Sequence, residues 1–193
     1  LYGRASSAQM QRFLKERRNA LLTLPDSVSL TTELASCARP ETRVIIISVG
    51  AQSLRGLMEE MKPLKLRDKT VVLCMKGIDI TTGKRLSEIA TEALDESCPV
   101  AVWLGPGHVQ EFYKGNPSCM VIDSDNEAVK HMLVDEFSSD LIRFYYGQDL
   151  IGNEIGAAAK DVIGIAAGML DGFELGTLKG ALMARGTHEV ARL

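Results

Sequence analysis

The sequence predicts an α/β protein: a mostly parallel, doubly wound sheet followed by an all-helical region. Three observations carry this. Short apolar runs rich in β-branched residues recur at residues 44–49, 71–75 and 100–104, as expected of central strands buried on both faces. Apolar residues at helical spacing fill the stretches between them. Beyond residue 147 strand character ceases while helical spacing continues.

In chain order, Leu1-Tyr2-Gly3 reads as the end of a strand already under way, and residues 27–30 as a weak strand. Val44-Ile45-Ile46-Ile47-Ser48-Val49 is the first full strand. After Gln52-Ser53, Leu54, Leu57, Met58 and Met61 share one helix face, and Pro63 ends that helix. Val71-Val72-Leu73-Cys74-Met75 is the next strand. Leu86, Ile89, Ala90 and Ala93 then mark a second helix after Thr81-Thr82-Gly83. Val100-Ala101-Val102-Trp103-Leu104 is the third strong strand. Residues 118–122 and 141–145 are weaker strands around a helix marked by Val129, Met132, Leu133 and Phe137, capped within Asp123-Ser124-Asp125-Asn126. Right-handed crossovers in such a sheet put the ligand crevice at the carboxyl ends of the strands.

From Gln148 onward, Ile151, Ile155, Ala158, Val162, Ile165, Ala166 and Met169 lie on one long helical face, where Gly152, Gly156, Gly164 and Gly168 recur. A glycine costs roughly 1 kcal/mol in a helix interior, so a close helix–helix or helix–sheet approach is expected to offset them. The pattern breaks at residues 171–176 and then resumes. Two domains are expected, residues 1–147 and residues 148–193. The second is the start of a helical domain, and the fold is expected to be incomplete at both ends.

Composition removes several function classes. A net charge of −3 provides no basic stripe for nucleic acid. The longest apolar stretch, residues 162–170, is too short to span a bilayer. Cys37, Cys74, Cys98 and Cys119 are scattered without a C-x-x-C pair, which suits a reduced, cytoplasmic setting better than a disulfide framework. Pro117 excludes glycosylation at Asn116. No Gly-x-Ser-x-Gly elbow is present to suggest a hydrolase.

Three motifs carry candidate chemistry. Met75-Lys76-Gly77 follows a central strand, where a lysine projects into the crevice unless it is simply a solvated loop residue. Gly105-Pro106-Gly107-His108 follows another strand, and its glycines suit either close backbone approach to an anion or a plain tight turn. Lys160, within Gly156-Ala157-Ala158-Ala159-Lys160-Asp161, sits in an apolar helix. It either snorkels to solvent or points into an apolar cleft, where lost solvation would lower its pKa into a range useful for proton transfer. His188-Glu189 reads as surface. His108 and His131 lack metal-ligand spacing, and Asp123-Ser124-Asp125-Asn126 lacks the rest of a calcium loop, so no metal is expected.

Together these segments resemble the bacterial branch of the soluble NAD(P)-dependent glycerol-3-phosphate dehydrogenase family. The most specific stretch runs Gly156-Ala157-Ala158-Ala159-Lys160-Asp161-Val162-Ile163-Gly164-Ile165-Ala166-Ala167-Gly168-Met169-Leu170-Asp171-Gly172, similar to a signature of Lys followed by Asn or Asp, a small-residue helix and a closing Gly. Leu178-Lys179-Gly180-Ala181-Leu182-Met183-Ala184-Arg185-Gly186 resembles its continuation. Lys76-Gly77 with Thr82-Gly83-Lys84 and Leu86-Ser87-Glu88 resembles the family's lysine loop, and Gly105-Pro106-Gly107-His108 its Gly-Pro-Ser loop. The ordered series covers nearly the whole chain.

The resemblance implies a Rossmann-like nucleotide-binding domain followed by a helical substrate domain. It implies hydride transfer between NAD(P)H and a small phosphorylated substrate, interconverting dihydroxyacetone phosphate and sn-glycerol 3-phosphate for phospholipid synthesis. Lys160 would be the catalytic acid/base. Lys76 would contact cofactor and substrate and stabilise oxyanion charge. Gly105 and Gly107 would shape the substrate loop, with Val109 near the cofactor. Arg4, with Ser6 and Ser7, would lie against the adenosine ribose, where the lack of an acidic residue favours NADP or dual use over NAD alone. A homodimer is left open. Gly107 stands where many members carry Ser, and Gly50-Ala51-Gln52 replaces Pro-Ser-Gln. The family's glycine-rich first turn is expected before Leu1, and further substrate-site groups beyond Leu193. The competing readings are a 3-hydroxyacyl-CoA or 6-phosphogluconate type dehydrogenase, and a non-catalytic nucleotide-binding protein.

Overall fold

A computed structural model describes residues 1–193. Its centre is a five-stranded sheet in the order β1 (Val44–Ile47), β2 (Thr70–Leu73), β3 (Val100–Leu104), β4 (Ser118–Asp123), β5 (Ile142–Tyr146). All pairings are parallel except β3 with β4, where Val102 faces Asp123 and Leu104 faces Val121. A parallel return needs a crossover long enough to recross the sheet. Here the connection holds only the five-residue helix α4 (Val109–Tyr113), so the chain turns back beside β3. The carboxyl ends of β1–β3 therefore share one edge of the sheet with the amino ends of β4 and β5.

Helices cover both faces. On one face α2 (Leu54–Met61) and α3 (Leu86–Ala93) pack Leu54, Met58, Leu86 and Ile89 onto Ile47, Val71, Leu73 and Val102. On the other face α5 (Glu127–Phe137) packs Val129, Leu133 and Val134 onto Val72, Ala101, Ile122 and Phe144. Adjacent residues of β2 thus go to opposite cores, and all four of its residues are buried. Each buried Val or Leu side chain there contributes roughly 1.5–3 kcal/mol of burial. The apolar run at 44–49 departs from its expectation. β1 is an edge strand with no partner on its outer side, and Ile46 is 45% exposed because no helix covers it there.

Two other expectations are corrected. Residues 27–30 form no strand. Only an isolated parallel bridge joins Tyr2 to Thr31, since the four residues have no sheet beside them to extend. A helix that periodicity did not flag, α1 (Ala8–Glu16), is capped by Ser7 and buries Met10 and Phe13. Its nine residues offer only Met10, Phe13 and Leu14 as large apolar groups, and Leu14 is exposed.

After β5 the chain is helical: α6 (Leu150–Gly172) and α7 (Gly176–Val190) form a hairpin, and α6 also packs on β3. Of the α6 glycines expected to permit a close approach, a Cβ at Gly152 would crowd only the helix's own cap Asp149, one at Gly156 would just touch Val190 of α7 at 4.0 Å, and the tight interhelical approach lies elsewhere. A Cβ at Gly164 or Gly168 would meet nothing, whereas one at Gly186 of α7 would fall 2.5 Å from Ile163 Cδ1. Val162, Ile165 and Met169 are exposed, so that part of the apolar face is uncovered in this chain. No helix is long and apolar enough to cross a membrane.

Candidate functional site

Two loops at the shared edge of the sheet depend on glycine. Gly77, just beyond β2, has φ +136°, and a Cβ there would press on Ala51 at 3.0 Å. Gly105, just beyond β3, has φ +142°, and its Cβ would lie 3.0 Å from the Met120 Cα. Side chains avoid such φ values. Gly107 also lies close to β4, within 2.9 Å of Met120 Cε for an added Cβ, and the Ser118 hydroxyl donates to the Pro106 carbonyl at 2.8 Å. The 105–107 loop is thereby folded flat over the start of β4, and Val109 opens α4 directly after it.

The loop carrying Lys76 is braced from α2 and the turn that leads into it. Gln52 Nε2 donates to the Ile78 carbonyl at 2.8 Å, and Gln52 Oε1 accepts from the Ile80 amide at 3.1 Å. Asp79 accepts from the Thr82 hydroxyl at 2.6 Å and from Arg55 at 2.8 Å, and these two contacts hold its carboxyl below the usual carboxylate range.

Helix α6 arrives from the opposite end of the sheet. Asp149 caps it by accepting from the Gly152 amide. Buried Asp123, ending β4, accepts from Asn153 Nδ2 at 2.7 Å and from the Asp149 amide at 3.2 Å. Glu154, 5% exposed, accepts from Arg85 Nη1 at 2.7 Å, the Ser87 amide at 2.9 Å and the Ser87 hydroxyl at 2.5 Å. The first turn of α6 is thus bonded to β4 and to the start of α3. Lys160 and Asp161 follow on the same rigid helix.

There the helix meets the Lys76 loop. Lys76 Nζ donates to Asp161 Oδ2 at 2.5 Å across 85 positions of sequence, and Lys160 Nζ donates to Asp161 Oδ1 at 3.0 Å. One carboxylate thus carries both candidate lysines. The Asp161 hydrogen bond raises the Lys76 pKa above the ordinary lysine value. The two lysines, Lys76 foremost, lower that of Asp161. Of the two settings open to Lys160, the structure shows the solvent-facing one: its side chain is 59% exposed and ion-paired, and Lys76 is 44% exposed. The lysines stand as paired ammonium groups at the rim of the sheet edge, since the residues around Lys160 on α6 face solvent rather than a wall.

The structure therefore brings Lys76 and Lys160 together, with Gly105 and Gly107 on the neighbouring strand end. Arg4 is held apart, its guanidinium paired at 2.9 Å with Glu60 of α2. In the sequence Asp161 and Gln52 stand inside motifs with no role attached, and Asp79 and Glu154 carry no signal at all. The signal for Asp161 was its place directly after the lysine. The His188 side chain makes no hydrogen bond, and its neighbour Glu189 pairs with Arg185 at 2.6 Å.

Comparison with known proteins places this arrangement in context. The family described as NAD-dependent glycerol-3-phosphate dehydrogenase matches through its N-terminal model at residues 2–130 and its C-terminal model at residues 149–193. A glycerol-3-phosphate dehydrogenase [NAD(P)+] of Pelodictyon phaeoclathratiforme is 36% identical over 184 residues, covering 93% of this chain and 55% of the relative. One from a Bradyrhizobium species is 38% identical over 173 residues, covering 89% and 52%. The chain thus spans about half the length of the curated relatives it matches. A crystal structure of glycerol-3-phosphate dehydrogenase from Coxiella burnetii shares the fold with a TM-score of 0.87 at 24% identity, covering all of this chain and 59% of that one. The family match sets aside the two other dehydrogenase types. With both family models matched in order, on either side of the β5 strand, the chain belongs to the NAD-dependent glycerol-3-phosphate dehydrogenase family.

Proposed function

We propose that the protein interconverts dihydroxyacetone phosphate and sn-glycerol 3-phosphate with NADH or NADPH, supplying glycerol 3-phosphate for phospholipid synthesis in the cytoplasm. One observation supports this above the rest: two lysines from distant segments converge on a single carboxylate beside two glycine loops. The boundary near residue 147 belongs to the same proposal, with residues 1–147 serving the nucleotide and residues 148–193 beginning the substrate domain.

The glycines fit a nucleotide at this edge. At Gly105 and Gly77 a side chain would strain the backbone and crowd its neighbours, leaving backbone free for close approach. Lys76, Val109 and Arg4 are the proposed cofactor contacts. A bound nicotinamide supplies the hydride for the ketone carbon. The Lys160 ammonium gives its proton to the carbonyl oxygen as negative charge builds there, and takes it back in the reverse direction. The Lys76 ammonium, kept charged by Asp161, holds that oxygen and orients the substrate. Gly105 and Gly107 shape the floor on which the substrate rests.

The test is spectrophotometric oxidation of NADH and NADPH by the protein with dihydroxyacetone phosphate. Turnover that Lys160→Ala abolishes while nucleotide binding survives supports the proposal. Turnover indifferent to Lys160→Ala would overturn the assigned chemistry, and nucleotide binding with no turnover of this ketone would favour a binding protein.

A further inference from the structure

The carboxylate between the two lysines has no part in the proton transfer proposed above, yet it organises both groups that do. Asp161 is 52% exposed and could rotate into water, but each of its oxygens meets a different ammonium: Oδ2 faces Lys76 and Oδ1 faces Lys160. The lysines reach it from different segments, one from the loop after β2 and the other from the preceding position of α6 itself. Without an acceptor between them two ammonium groups repel, and each long side chain would swing to solvent. Each keeps two N–H donors after bonding Asp161, enough to share an incoming oxygen.

We infer that Asp161 is the positioning residue of this site. Its two oxygens hold the Lys76 and Lys160 ammonium groups side by side and reduce the charge of the pair to a single unit, so that an anionic ligand meets a spaced donor pair rather than two free cations. The inference rests on the reading of the lysines as working groups. It assigns the substrate phosphate or ketone oxygen a built-in competitor, because the carboxylate already satisfies part of the charge that a free anion would seek. An amide at this position has one acceptor oxygen and no charge. It cannot offer each lysine a charged oxygen of its own.

Hydrogen-bond couplings from lysine ammonium groups to carboxylate carbon can be read by NMR on the isotope-labelled 193-residue chain, and inorganic phosphate can be titrated against the same ammonium signals. Both Lys76 and Lys160 are expected to couple to the Asp161 carboxyl carbon, and Asp161→Asn is expected to abolish the shared pattern with the rest of the spectrum retained. The same variant should bind phosphate about fivefold more tightly, the effect of removing one negative charge about 4 Å away in water. Asp161→Ala should give the same signs. Coupling from only one lysine, or phosphate affinity unchanged or weakened in both variants, overturns the inference. If phosphate still moves both lysine signals in that case, the proposed reaction stands without it. If phosphate moves neither signal in the unsubstituted chain, both fall.

Discussion

Gly147 and Asp123 sit so close that a methyl group on Gly147 would lie 2.2 Å from the Asp123 carboxyl carbon. The Gly147 carbonyl in turn accepts from Lys130 Nζ at 2.9 Å, and Lys130 approaches Asp123 at 3.6 Å. This buried cluster joins β4, α5 and the residue after β5 just before α6 begins. Gly147→Ala should therefore push the carboxylate away from Asn153 and the Asp149 amide. A loss of about 2–4 kcal/mol is expected, read as a lower urea midpoint with an unchanged m-value.

Lys160→Ala should lower kcat for ketone reduction about a thousandfold, the range of a lost general acid. Lys76→Ala should cost about a hundredfold and act on kcat and KM together. Nucleotide affinity should stay measurable in the first variant. Steady-state kinetics beside a fluorescence titration of reduced nucleotide separate the two effects.

Arg4 tests cofactor choice. If it contacts a ribose phosphate, Arg4→Ala should raise KM for NADPH about tenfold, the value of a lost charge-assisted hydrogen bond, and leave KM for NADH nearly unchanged. Equal changes with both cofactors would place Arg4 in its pairing with Glu60 alone.

Burial pushes the Cys74 thiol from the ordinary 9.0 up to about 11. The unfolded chain loses this proton near the ordinary value while the folded chain keeps it. The stabilising contribution is therefore complete below pH 9.0 and disappears as pH rises through about 11. Urea unfolding at about pH 10.5 should show about 2 kcal/mol less stability attributable to this thiol than at pH 8. Cys74→Ala should remove that part of the pH dependence. Exposed Cys119 should react with a thiol reagent in the folded protein well before buried Cys98.

Leu133 is fully buried on α5 against Ile122 and Phe144. Leu133→Ala should cost about 3 kcal/mol through lost burial and the cavity left behind. An equally large change at exposed Val162 is not expected, because α6 has no neighbour there.

Much of the fold was legible because its signals are local. β-branched runs and three-four spacing located β1–β3, α2, α3 and α5, and the lysines and glycine loops were visible as residues following strands. What escaped depends on partners distant in sequence. Gly164 and Gly168 face open space, while the tight approach fell to Gly186, whose need is set by Ile163 on the other helix. The environment of Lys160 stayed open between solvent and cleft because apolar neighbours along a helix do not reveal whether anything packs over them. Asp161 acquires its role only when the Lys76 loop folds against α6. The reversal of β4 lay in the short α4 connection, a matter of reach rather than of composition.

The bonds of Asn153 and Glu154 fix the rotational phase of α6 before Lys160 appears on it. Each residue of an α-helix turns by about 100° and climbs about 1.5 Å. One residue inserted or deleted between Glu154 and Lys160 would carry the ammonium, and Asp161 with it, round to a different side of the cylinder and away from Lys76. The first turn of α6 therefore acts as an angular reference, setting the direction in which the rest of the helix faces.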